Sequence, residues 1–143
     1  MINKRRVCKI KKAGILNSDI SRVLSYMGHT DTICIGDCGL PIPDEVERID
    51  LALMFGVPTF MDTLKVVKED MKIEKIVLAT EIKEQNKKVL KEIEELFEGE
   101  GVEVEYVPHT ELKAQTKDCK AVIRTGETTP YANIILQSGC IFA

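Results

Sequence analysis

The apolar positions of this chain follow a helical period in some stretches and a strand period in others. One stretch repeats apolar residues every three or four positions, which predicts a helix carrying Ile20, Val23, Leu24 and Met27 on one face. Polar residues 17–19 offer N-cap oxygens before this helix, and Gly28 ends it. Residues 32–36 then form a short, continuous apolar run that is typical of a buried strand.

The same two patterns continue along the rest of the chain. Helical spacing predicts further helices at residues 59–71, 85–99 and 109–118. Alternating or continuous apolar runs predict strands at residues 47–53, 72–80, 102–108, 121–127 and 133–137. Strands that alternate with helices indicate an α/β fold, with a largely parallel central sheet flanked by helices.

No linker rich in Gly, Pro or Ser divides the chain, so we expect one layered domain over residues 1–143. Ligands of such folds gather at the carboxyl ends of strands. Residues 37–43 (DCGLPIP) and 125–133 (TGETTPYAN) follow predicted strands and are the loops in which we expect a site.

Composition excludes several classes of protein. The chain has 143 residues, 44% of them hydrophobic, and a net charge of -3, which suits one globular domain in the cytoplasm. We expect no membrane partner, because no apolar run approaches the roughly 20 residues of a membrane span and no secretory signal is present. Aromatic residues make up 5% and Trp is absent, so no nucleic-acid partner is expected. The basic cluster in residues 4–12 is interpreted as a solvated tail, with a phosphate or nucleic-acid patch as the alternative.

Five cysteines are scattered along the chain without a CxxC motif, at Cys8, Cys34, Cys38, Cys119 and Cys140. We interpret them as free thiols of a cytosolic protein. A metal site that joins His29 to these thiols is the weaker alternative, and no metal is predicted. GxGxxG, GxxxxGK[ST], GxSxG and HExxH are all absent, so no cofactor is predicted and the expected chemistry is proton transfer alone.

Polar residues at the boundaries of the predicted elements remain as candidates for a site. They are His29 with Asp31, Asp37, His109 with Lys113 one helical turn later, and Tyr131 with Asn133. Such side chains donate and accept hydrogen bonds, as the hydroxyls of a sugar require. His29 is the first candidate for proton transfer, because histidine is the side chain whose ordinary pKa lies nearest neutrality.

Each candidate also has a structural explanation that the residues alone leave open. His29 could cap the carboxyl end of the first helix, and Asp37 could make an Asx-turn. His109 and Lys113 could be solvated residues at the start of a helix. Tyr131 could be a packing residue.

Five strings of the chain together resemble one family: ILNSDISRVLSYMGHTD, DCGLPIP, RIDLALMFGVP, AVIRTGE and PYANIIL. They are similar to the D-ribose pyranase family of sugar mutarotases, over nearly the whole chain from about residue 12 to residue 142. A sister branch of the family acts on L-fucose, and the NSDIS and GLPIP strings favour the ribose branch. Residues 1–10 extend beyond the usual start of the family and are expected to be a flexible N-terminal extension.

The resemblance implies interconversion of the β-pyranose and β-furanose forms of D-ribose without a cofactor, before ribose is phosphorylated. His29 matches the proton donor of the family. The positions that match its sugar-binding residues are Asp37, His109, Lys113, Tyr131, Ala132 and Asn133. The resemblance also implies a decamer of two stacked pentameric rings, with sites at subunit interfaces.

Two other functions stay open. The first is an L-fucose mutarotase, which carries out the same chemistry on another sugar. The second is a non-catalytic ribose-binding partner of the ribose transport system, which would bind ribose without accelerating its ring exchange.

Overall fold

A six-stranded sheet forms the centre of the protein in the computed structural model, which describes residues 10–142. Its strands are β1 Thr32–Gly36, β2 Glu47–Asp50, β3 Ile73–Ala79, β4 Glu103–Val107, β5 Ala121–Arg124 and β6 Ile134–Ser138. The helices are α1 Ser18–Tyr26, α2 Phe60–Asp70, α3 Ile82–Gln85, α4 Lys87–Phe97 and α5 His109–Gln115, with a 3₁₀ turn at Thr116–Asp118. Cys8, most of the basic cluster and all but the last residue of the expected N-terminal extension lie outside the described residues.

The strands follow the order β2-β5-β1-β6-β3-β4, and five of the six point the same way. β6 is the exception, because it runs antiparallel to both of its neighbours, β1 and β3. A parallel β6 would need a crossover of about a dozen residues or more, and the connection from β5 spans only residues 125–133. The α/β fold with a largely parallel sheet is confirmed.

Both faces of the inner strands β1, β3, β5 and β6 are largely buried, and side chains alternate between the two faces along each strand. One face packs under α1, α2 and α4, and its strand residues include Ile33, Ile35, Ile76, Leu78, Ile123 and Ile134. The opposite face packs under α5 and the loop after β1, and its strand residues include Cys34, Val77, Val122 and Ile135. This double burial explains why the central strands are continuous apolar runs.

Several elements differ in length from their predicted bounds. The helix predicted over residues 85–99 begins at Lys87, because Asn86 has a non-helical backbone with φ of -151° and ψ of 62° and separates it from the short α3. The strand predicted over residues 47–53 ends at Asp50, and the one predicted over residues 121–127 ends at Arg124. The segments that follow pack closely together: a Cβ on Gly126 would lie 2.5 Å from the carbonyl oxygens of Met54 and Val57.

Among residues 10–142, no helix is both long enough and apolar enough to span a bilayer.

Leu64 of α2 tests the packing of the larger helical layer, because its side chain is fully buried against the sheet. Leu64→Ala should lower the free energy of unfolding by about 2–5 kcal/mol, through lost burial and the cavity left behind. Lys65→Ala, one position along on the exposed side of α2, should change it by no more than about 0.5 kcal/mol. Urea unfolding at equal protein concentrations measures both, and equal effects would contradict this packing.

Candidate active site

The predicted site residues lie at two opposite edges of the sheet. The carboxyl edge, where the parallel strands end, carries Asp37 after β1, His109 and Lys113 after β4, and Tyr131 to Asn133 before the antiparallel β6. The amino edge, where the parallel strands begin, carries His29 before β1, Glu74 at the start of β3 and Gln137 near the end of β6. Each edge has its own hydrogen-bond network.

Asp37 and Asn133 hold each other at the carboxyl edge. The backbone N–H of Asp37 donates to Oδ1 of Asn133 at 2.9 Å, and Nδ2 of Asn133 donates to Oδ2 of Asp37 at 3.2 Å. The second carboxylate oxygen, Oδ1 of Asp37, accepts from the backbone N–H of Gly39 at 2.9 Å. The Asx-turn considered for Asp37 is therefore present, and it fixes the carboxylate in one orientation.

His109 packs against Tyr131 at the same edge. Their ring centroids lie 5.1 Å apart at an interplanar angle of 84°, an edge-to-face contact. The backbone N–H of His109 donates to both carboxylate oxygens of Glu81, at 3.0 and 3.1 Å, which anchors the start of α5.

The ring nitrogen Nδ1 of His109 is buried and has no hydrogen-bond partner within residues 10–142. A buried polar atom without a partner is costly and calls for an explanation such as a bound group. The hydroxyl of a ligand can supply that partner, because it both donates and accepts.

Hydrogen bonds from Asn86 stabilise the turn that carries Tyr131. Tyr131 has a left-handed backbone with φ of +57°, which a residue other than glycine adopts only when its surroundings impose it. Nδ2 of the buried Asn86 donates to Oγ1 of Thr129 at 2.9 Å and to the carbonyl oxygen of Pro130 at 2.8 Å. The Oδ1 atom of Asn86 caps α4 by accepting from the N–H of Val89 at 3.4 Å. An asparagine before an amphipathic helix predicts only this cap, so nothing in the sequence pattern indicates the other two bonds.

The two remaining predicted positions, Lys113 and Ala132, differ in how far they are exposed to a ligand. Lys113 is half-buried one turn after His109, on the same helix. Ala132 is fully buried under the turn, as is Asn133, so in the isolated chain neither presents a surface to a ligand. Their direct contact with a sugar stays a prediction.

His29 forms the network of the amino edge. Its Nε2 lies 3.0 Å from Oε2 of Glu74, and Nε2 of Gln137 donates to Oε1 of Glu74 at 2.8 Å. The hydrogen bonds from Gln137 and His29 lower the pKa of Glu74, so its carboxylate is ionised at neutral pH. His29 does not cap α1. The C-cap residue of that helix is Met27, whose backbone N–H donates to the carbonyl oxygen of Val23.

The structure does not bring His29 together with the other predicted residues. His29 precedes β1 and Asp37 follows it, and the five residues of that strand alone span about 13 Å at about 3.3 Å per residue. Within one chain, the predicted proton donor and the predicted sugar-binding residues therefore belong to separate half-sites.

Four of the five cysteines lie within the described residues, and none of these four belongs to a cluster that could hold a metal ion. Cys34, Cys38, Cys119 and Cys140 are free thiols. Burial raises the pKa of Cys119 to about 11 and that of Cys34 well above its ordinary value, so both are protonated at neutral pH. No cluster of three or more His, Cys, Asp or Glu side chains within residues 10–142 is placed to hold a metal ion.

A family model described as the RbsD / FucU transport protein family matches residues 10–141. The chain belongs to this family. The resemblance carried by the sequence strings is thereby confirmed.

Several D-ribose pyranases are close relatives of this RbsD / FucU family member. The enzyme of Bacillus cytotoxicus is 57% identical over 133 residues, which cover 93% of this chain and all of that protein. The enzyme of Clostridium tetani is 54% identical with the same coverage of both chains. The enzyme of Streptococcus uberis is 58% identical over 91% of this chain and 98% of its own length.

Solved structures of RbsD / FucU family members share the fold. Bacillus subtilis RbsD, complexed with D-ribose, superposes with a TM-score of 0.89 and 53% identity, over 93% of this chain and 100% of its own. A fucose mutarotase of Streptococcus pneumoniae in complex with L-fucose has a TM-score of 0.74 at 24% identity, over 87% of this chain and 94% of its own. At 24% identity, the similarity to the fucose mutarotase shows a shared fold only.

Asn86 and Asn17 provide a matched test of the turn that presents Tyr131. Both cap a helix, but within the described chain only Asn86 also donates to the turn. Asn17→Ala should lower the free energy of unfolding by about 1 kcal/mol through the lost cap. Asn86→Ala should lower it further, by about 1–3 kcal/mol, because the two hydrogen bonds that the buried Asn86 amide donates to the turn are lost. It should also speed amide hydrogen exchange at residues 129–131.

Urea unfolding and hydrogen exchange read by mass spectrometry measure these effects. Equal losses in the two variants, with unchanged exchange in the turn, would show that Asn86 acts as a helix cap only.

Proposed function

We propose that this chain is a D-ribose pyranase, an isomerase that interconverts the β-pyranose and β-furanose forms of D-ribose without a cofactor. The observation that carries the proposal is the carboxyl edge, where the unpartnered Nδ1 of His109 lies in the ring that packs on Tyr131. This edge belongs to a chain that is 53% identical to an RbsD complexed with D-ribose and 57% identical to a D-ribose pyranase.

The ring exchange requires only the movement of protons. The pyranose opens when its anomeric hydroxyl loses a proton and the ring oxygen gains one, which breaks the C1–O5 bond and leaves the open-chain aldehyde. The O4 hydroxyl then attacks C1 and loses its proton, while the aldehyde oxygen gains one. General acid–base help from a side chain is typically worth about 10²–10⁴-fold in rate. His29 supplies this help, and Asp37, His109, Lys113 and Tyr131 hold the hydroxyls.

The complete site forms between two subunits, with His29 of one subunit facing the carboxyl edge of its neighbour. Both edges support this arrangement, because each exposes large apolar side chains of the kind that interfaces cover. Leu53 and Phe55 beside the carboxyl edge are 79% and 82% exposed. Ile141 and Phe142, which follow β6 at the amino edge, are 85% and 89% exposed.

A contact between two different edges is heterologous, and such contacts form a ring where the rotation from one subunit to the next closes. The proposed assembly is a decamer of two stacked pentameric rings, as the family resemblance implies. D-ribose is the proposed partner and the cytoplasm the proposed compartment.

His29→Ala tests the proton donor. We expect the rate of pyranose–furanose exchange of D-ribose to fall by about 100-fold or more, because no other imidazole lies at the amino edge within the described chain. NMR exchange spectroscopy measures the rate. Lys117→Ala, an exposed change next to α5, should leave the rate at its wild-type value.

A wild-type exchange rate in His29→Ala would remove His29 from the mechanism. Faster exchange on L-fucose than on D-ribose by the wild-type protein would favour the fucose mutarotase. Saturable ribose binding without any acceleration would favour the non-catalytic partner.

Mixed oligomers test the composite site. His29→Ala chains lack the amino-edge half-site, and Asp37→Ala chains lack the carboxyl-edge half-site. The two variants are co-expressed with different affinity tags, and mixed oligomers are purified through both tags. In a random one-to-one mixture, about a quarter of heterologous interfaces pair an intact His29 with an intact Asp37. We expect the exchange activity to recover to about that fraction of wild type. If the mixture is as inactive as the separate variants, the site lies within one chain. Native mass spectrometry of the same sample counts the subunits.

A further inference from the structure

Both carboxylate oxygens of Glu74 are engaged by defined partners at the amino edge. Oε1 accepts from the side-chain amide of Gln137 at 2.8 Å, and Oε2 lies 3.0 Å from Nε2 of His29. The two partners come from different parts of the chain, since Gln137 lies on β6 and His29 precedes β1. Glu74 therefore links the imidazole to the central strand of the sheet.

A local irregularity of the sheet sets the position of Glu74. Ile73 pairs with Ser138 and Lys75 pairs with Gln137, so two steps along β3 match one step along β6. Glu74 is the extra residue of this bulge. Bulges change the direction in which a side chain points, and they are frequent beside active sites. The contact between Glu74 and His29 therefore depends on the backbone geometry of β3, and it differs from an incidental pairing of long surface side chains.

The hydrogen bond between Glu74 and His29 has a defined direction. The lowered pKa of Glu74 keeps it ionised at neutral pH, and an ionised carboxylate only accepts hydrogen bonds. The proton between the two side chains therefore sits on Nε2 of His29. In the neutral imidazole, the other nitrogen, Nδ1, is then the one without a proton.

We infer that Glu74 is a positioning residue that fixes the tautomer of His29, so that Nδ1 is the ring atom that exchanges protons with the sugar. This inference rests on the proposed function, because it assigns an atom and an orienting group to the proposed acid. Gln137 contributes by fixing which oxygen of Glu74 faces the ring. The same logic applies to other functional histidines, whose second ring nitrogen is oriented by a carboxylate.

Glu74→Gln tests the inference, because it replaces an ionised acceptor with an amide that can donate to His29. While Gln137 keeps its present orientation and donates to position 74, the carbonyl oxygen introduced by E74Q accepts from it and the new NH₂ faces His29. That NH₂ donates to Nε2, and the ring proton then lies on Nδ1. We expect kcat for ribose exchange to fall by about 10- to 100-fold with little change in KM, as for outer partners of functional histidines.

The proton position gives a readout independent of activity. In ¹⁵N NMR spectra of the neutral ring, the wild-type protein should carry its proton on Nε2 of His29, and E74Q should carry it on Nδ1. Glu100→Gln is the matched control, because Glu100 also makes an exposed ion pair, 2.7 Å from Nζ of Lys68. It should leave both kcat and the tautomer unchanged.

The double variant E74Q/Q137E exchanges the two side chains and tests whether activity is restored. The carboxylate introduced by Q137E accepts from the new amide at position 74, which turns the carbonyl of that amide towards His29 and returns the proton to Nε2. The double variant should recover most of the wild-type kcat, while a purely structural loss would not recover.

Two results would overturn the inference. One is wild-type kcat in E74Q with the ring proton of His29 on Nδ1, together with inactive His29→Ala, which would keep His29 as the acid and show that its tautomer does not control the rate. The other is a loss in E74Q that the exchanged pair does not restore, with the proton still on Nε2. Full activity in His29→Ala would instead reject the proposed role of His29 itself.

Discussion

The antiparallel pairing of β6 with β1 and β3 is the constraint on which the rest of the structure depends. It joins the group β2-β5-β1 to the pair β3-β4, so both parts of the sheet share one hydrogen-bonded strand at their centre. The residue before β6, Asn133, holds Asp37 at the carboxyl edge. Gln137, near the other end of β6, holds Glu74 at the amino edge. One short strand thus fixes the geometry of both half-sites.

The separation of the two half-sites follows directly from this arrangement. A rigid sheet keeps His29 and Asp37 on opposite edges, and no side-chain rotation spans a strand of five residues. In the proposed assembly the same rigidity is useful between subunits, because each edge is already ordered before the edges meet. Ordering groups in advance reduces the entropy lost when a ligand binds. The exposed apolar side chains beside each edge would then supply the driving force for the proposed contact.

Most of the helices and strands could be predicted from the sequence, because the spacing of apolar residues along the chain shows which positions are buried. It predicted every strand, and residues such as Asp37 and His109 correctly fell at strand ends. It missed Glu74, Glu81 and Asn86, since their roles depend on long-range partners. A glutamate inside a strand pattern looks like a solvent-facing position, and only the bulge opposite Gln137 reveals its contact with His29. The strand predicted over residues 32–36 already separates His29 from Asp37. Placing His109 and Tyr131 at the same edge as Asp37 requires the strand order and directions, which the pattern does not contain.

Each half-site carries one imidazole, and the two rings differ in their surroundings. Nδ1 of His109 is buried and unpartnered within residues 10–142, so it suits a fixed hydrogen bond to a ligand. His29 is half-exposed, and its Nε2 is engaged by an ionised carboxylate. In the proposed mechanism, the Glu74 carboxylate stabilises the imidazolium that forms whenever Nδ1 takes a proton, much as a buried aspartate does in a catalytic triad. His109 is therefore suited to binding and the carboxylate-linked His29 to proton transfer. The proposed site, in which a sugar lies between two edges, uses both.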